Sequence, residues 1–75
     1  MKAILKFDLP EDQPEFNFAT QGSDWWNVCW QMDQWLRGNT KHASDSMSDD
    51  EYKAYERCRE ELREIINNSG LNLEQ

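Results

Sequence analysis

Residues 24–37 read DWWNVCWQMDQWLR and hold all four tryptophans of a 75-residue chain. Set on a helix at 100° per residue, Trp25, Val28, Cys29, Met32, Trp35 and Leu36 fall within an arc of about 120°, the width of a core-facing stripe. The reading is an amphipathic helix with that stripe turned inward. Trp26 and Trp30 lie off the arc, one turn apart, on a second face shared with Asp33 and Arg37. Such a second aromatic face is further core, an oligomer contact or a target-binding surface.

Upstream, residues 2–9 alternate. Ala3, Leu5, Phe7 and Leu9 fall on one side and Lys2, Ile4, Lys6 and Asp8 on the other, the period of a half-buried strand that Pro10 ends. A lone strand needs a partner, and within the chain the candidate is the short Leu71-Asn72-Leu73. Acidic residues and Pro14 then mark the start of a short helix, capped by Asp12 or Gln13, with Phe16 facing the core. Gly22 breaks it, and Ser23 is placed to cap the tryptophan helix.

Downstream, that helix is interrupted or ends near Gly38-Asn39, although Thr40, Lys41 and His42 could prolong it by a turn, and Ala43–Met47, ASDSM, is an aperiodic polar loop. Ser48-Asp49-Asp50-Glu51 forms a capping box, in which the Ser48 hydroxyl and the Glu51 carboxylate each satisfy a first-turn amide. The last helix carries Tyr55, Cys58, Leu62, Ile65 and Ile66 on one stripe and Lys53, Glu56, Arg57, Glu60, Arg63 and Glu64 on a solvated face. Gly70 suits the residue just past the helix end, with Leu71 folding back on the apolar stripe.

Composition narrows the function. Eight basic and fifteen acidic side chains give a net charge of −7. Residues 1–22, with four acidic and two basic groups, sum to −2; residues 23–42, with two of each, to zero; residues 43–75, with nine and four, to −5. Direct nucleic-acid binding relies on clustered Lys and Arg, which this balance lacks, whereas a basic protein partner suits it. The charged N-terminus has no signal-peptide core and the chain no membrane-spanning stretch, so the expectation is a cytoplasmic protein with Cys29 and Cys58 reduced.

No constellation carries chemistry. Two distant cysteines and His42 do not make a four-ligand zinc site, and they place no activated nucleophile. Asp45, Asp49, Asp50 and Glu51 occupy a loop and a helix start, where carboxylates are favoured structurally. The glycines Gly22, Gly38 and Gly70 are isolated and build no phosphate cradle. The chain is expected to be no enzyme and to need no metal or cofactor.

With LKFDLPED at the start, a W-x-x-D-x-W-L-R segment formed by Trp30, Asp33, Trp35, Leu36 and Arg37, a Ser-Asp loop and the ending YKAYERCREELREIINNSGLNL, the chain resembles small acidic proteins encoded by tailed bacteriophages and prophages. The resemblance covers nearly the whole chain, and its motifs are structural. It implies an accessory product, in the cytoplasm of a host bacterium, that binds and inhibits or redirects a host or antiviral-defence protein, as anti-CRISPR proteins do. It carries over no site residues.

The resulting expectation is one small α+β domain, mainly helical. A strand at about 2–9 and a short helix at about 14–21 precede the tryptophan helix at about 24–38; a mobile loop at about 39–47 leads to a helix at about 49–69 packed antiparallel to it. The expected contact surface is Trp26, Trp30 and Arg37, with Asp45, Asp49 and Asp50 steering a partner of basic surface. The alternative is a homo-oligomer, such as a homodimer, with a structural or nucleotide-sequestering role.

Overall fold

In the computed structural model, which describes residues 1–74, three helices follow one another: α1 (Gln13–Thr20), α2 (Gly22–Lys41) and α3 (Asp49–Asn68). The protein is mainly helical, and α2 and α3 pack against each other. They run antiparallel, since Asp33 of α2 meets Arg59 and Arg63 while Trp35, further along, meets Tyr55.

The expected N-terminal strand is not formed among the described residues. Residues 1–8 have no regular structure, and Ile4 and Leu5 are exposed. The alternating pattern is present, but a strand exists only as a ladder with a partner, and the candidate Leu71–Leu73 is used elsewhere. The segment is anchored at its far end, where Phe7 meets Phe16 edge-on at 5.6 Å and the Asp8 amide donates to the Asp12 carboxylate at 2.9 Å.

α1 stops at Thr20, just before Gly22 as expected, but Gly38 does not end α2. α2 begins at Gly22, one residue after α1, with Gln21 at its N-cap and no side-chain cap; Ser23 already lies inside the helix. It continues through Gly38 to Lys41, so the connecting loop is His42–Ser48. A single glycine costs a helix only about 1 kcal/mol, which continuous hydrogen bonding and packing outweigh.

At the start of α3 the Ser48 hydroxyl accepts from the Glu51 amide at 3.2 Å. The return bond of the capping box, from the Ser48 amide to the Glu51 carboxylate, is not made among the described residues. At its end, Gly70 adopts φ of +75°, and the Gly70 amide donates to the Asn67 carbonyl while the Leu71 amide donates to that of Ile66. These are the paired bonds of a Schellman motif. The chain then turns back, but Leu73 and not Leu71 carries the apolar contact: Leu73 is buried and Leu71 is exposed.

The helix pairing shifts the inward faces from those expected, keeping Cys29 and Leu36 of α2 and Tyr55, Leu62 and Ile66 of α3 inside. The inward seam of α2 is Trp26, Cys29, Asp33, Leu36 and Thr40, and that of α3 is Tyr52, Tyr55, Arg59, Leu62 and Ile66; each of these residues is buried or half-buried. Both follow the alternating three- and four-residue spacing of a helix-pair seam. Of the stripe expected to form the core, Cys29 and Leu36 turn inward, whereas Trp25, Val28 and Trp35, each 57% exposed, and Met32, 50% exposed, face solvent. Cys58 and Ile65, expected inside, are also exposed. Counting apolar side chains favours the stripe without charge, and Asp33 would be excluded from a core on that basis. It is accepted because α3 sets Arg59 and Arg63 opposite it.

Candidate functional site

Asp33 is the centre of the interface between the helices. Its side chain is fully buried, and both oxygens are shared between two guanidinium groups. Arg63 grips it in a fork, Nε to Oδ1 and Nη2 to Oδ2, both at 2.9 Å. Arg59 repeats the pattern more loosely, at 3.1 and 3.4 Å, and the Gln34 amide adds a bond at 3.2 Å. Arg63 also reaches forward through Nη1 to Glu74 at 2.8 Å, tying the C-terminal tail to the same point.

The electrostatics follow from this geometry. The Arg63 hydrogen bonds, opposed by burial and reinforced by Arg59, hold the Asp33 carboxyl down at about 2. Arg63 is raised, first by Asp33 and then by Glu74. A carboxylate kept ionised and enclosed by two arginines is poorly placed to accept a proton or attack a substrate. The cluster joins α2, α3 and the tail, and sequence reasoning missed it by assigning Arg63 to the solvated face and leaving Arg59 unassigned. The signal was available: Arg59 and Arg63 are one turn apart, opposite Asp33 in the antiparallel pairing.

The residues expected to bind a partner do not form one patch. Trp26 and Trp30 stack face to face, with centroids 5.6 Å apart and planes at 8°, and both are half-buried. Trp26 lines a crevice with Cys29, Ile66 and Leu73, so the pair belongs partly to the helix packing. Arg37 is exposed near the other end of α2, beside a shallow hollow with Gln34, Lys41 and His42. Asp45, Asp49 and Asp50 are exposed around the loop and the first turn of α3. From Trp26 to the end of α2 at Lys41 is about 22 Å along the axis, so the aromatic pair and the acidic end stand apart.

The surface that stands out is the solvent face of α2. Trp25, Val28, Met32 and Trp35 recur at spacings of three, four and three residues, forming a continuous apolar ridge. Trp35 is held in place by Tyr55, whose ring meets it edge-on at 5.6 Å. On a helical wheel this ridge is centred about 120° from Asp33. In an antiparallel pair it opens on the same side as the exposed Cys58 and Ile65 of α3.

Among the described residues, no group of three or more His, Cys, Asp or Glu is arranged to hold a metal ion, and no helix is long and apolar enough to cross a membrane. The fold and surface define a helical hairpin with an ionic lock inside and an apolar ridge outside. Comparison with protein-family models, curated proteins and solved structures finds no match for the chain.

Proposed function

We propose that this protein acts by binding other proteins and performs no chemistry of its own, as an accessory factor that inhibits or redirects a host or defence protein. The observation that supports this reading is the ridge of Trp25, Val28, Met32 and Trp35 on the outside of α2. Extended exposed apolar patches mark interaction surfaces, and tryptophans are enriched among the residues that contribute most to binding. Asp45, Asp49 and Asp50 at the loop end add a negative potential that would steer a basic partner without supplying much affinity. The phage-type resemblance of the sequence agrees with this role.

Affinity capture from a bacterial host producing the tagged protein tests the reading. A specific partner should be retained, and Asp45→Asn/Asp49→Asn/Asp50→Asn should weaken its capture in low salt more than in high salt. Retention of no partner beyond that of an unrelated acidic helical protein would overturn it.

A further inference from the structure

We infer that the apolar ridge of α2 is closed by a second copy of this chain, two α2 helices packing antiparallel across a two-fold axis. The inference goes beyond the target-binding reading: it gives the ridge to self-association, so a host partner would meet the dimer on another surface, such as the acidic end at Asp45, Asp49 and Asp50.

The ridge is symmetric about its own midpoint. Trp25 and Trp35 lie five residues on either side of position 30, and Val28 and Met32 lie two residues on either side. An antiparallel two-fold therefore sets each Trp25 against the partner copy's Trp35 and each Val28 against its Met32. The large rings meet at the two ends and the slimmer side chains in the middle. This is the reciprocal pattern that an isologous interface requires.

Surface area points the same way. The chain exposes 6584 Å², where a compact monomer of 9.0 kDa would expose about 4,900 Å². Its radius of gyration is 17.5 Å, against about 11 Å expected for this length. The excess is about 1,700 Å², and a standard interface needs about 800 Å² from each partner. The buried apolar side chains among the described residues are Leu36, Ile66 and Leu73, a core that pairing would enlarge into a four-helix arrangement.

Charge does not oppose the pairing. Residues 23–42 sum to zero, and the excess of negative charge lies in the flanking segments. Asp33 and Arg37 lie off the ridge, so its centre carries no charge that two copies would bring together.

The purified full chain, studied by sedimentation equilibrium and by thermal unfolding at several concentrations, provides the first test. The expected mass is about twice 9.0 kDa, and Tm should rise with concentration because the fold and the pairing are linked. Val28→Glu and Met32→Lys should each raise the dimer dissociation constant at least about a hundredfold, as burying an unpaired charge at the centre of an interface does. Mixing the two variants should recover a heterodimer, since the antiparallel register sets the carboxylate introduced at position 28 of one copy against the ammonium introduced at position 32 of the other. A 9.0 kDa species with a Tm independent of concentration would overturn the proposal, even if either variant were unfolded when alone. A dimer that both variants leave intact would also overturn it, as would a mixture that stays monomeric. A monomer that still captures a host protein would sink the self-pairing alone, whereas a dimer that captures none would sink the target-binding reading alone.

Discussion

Asp33 and Arg63 form a two-point fork with both bonds at 2.9 Å, buried between two helices and thirty residues apart in the chain. Removing one side of such a pair leaves charge without its counter-charge. Asp33→Asn should therefore destabilise the protein by about 2–3 kcal/mol, somewhat less than the loss of about 3–5 kcal/mol for a fully buried pair because each arginine remains about one-third exposed. For a chain of this size that lowers Tm by at least about 10 °C, measured at fixed protein concentration. Replacing the trio together, as Asp33→Leu/Arg59→Leu/Arg63→Met, should recover most of that loss, because the desolvation cost of the charges disappears with them.

The same cluster sets an acid limit. Asp33 titrates at about 2 in the fold, below its ordinary 3.8. A carboxyl lowered by folding contributes stability that is complete above its unfolded value and is lost as pH falls through its folded value. The contribution is roughly 2 kcal/mol, disappearing between about pH 4 and pH 2. Urea unfolding across that window should show a steeper loss for the native protein than for Asp33→Asn; equal slopes would remove the assignment.

Ser48→Ala should cost about 1 kcal/mol through the lost cap at the start of α3, while Ser48→Asp should retain most of it. The Glu51 amide reports this directly. Its hydrogen exchange should speed up in the alanine variant and stay slow in the aspartate one.

Trp26 buries its indole Nε1 with no hydrogen-bond partner among the described residues, while its ring stacks on Trp30. Trp26→Phe removes the orphan donor and keeps much of the ring, so it should stay within about 1 kcal/mol of the native protein. Trp26→Ala should cost about 2–3 kcal/mol, because the ring packs over the crevice near Ile66 and Leu73. Chemical denaturation of the two variants separates packing from surface: equal, negligible losses would place Trp26 outside the fold's interior.

The helices themselves were legible because their signals are local. The apolar period of residues 24–37, the Ser48 cap and Gly70 past the last turn each act within a few residues, and the structure has α2, α3 and the Schellman turn at those places. Gly38 misled, since a single glycine inside a helix weakens it without ending it. The strand misled because alternation describes a surface that a strand would have, whereas its existence depends on a second strand.

Local sequence thus determined that two long amphipathic helices would form and that each would carry apolar side chains at helical spacing. Which face of α2 turns inward was decided only in the tertiary structure. Asp33 is costly to bury alone and becomes acceptable when Arg59 and Arg63 enclose it, a balance that exists only once two distant segments meet. That choice puts Trp26 beside Ile66 and leaves Trp25, Val28, Met32 and Trp35 outside, where they are available for contacts beyond the single chain.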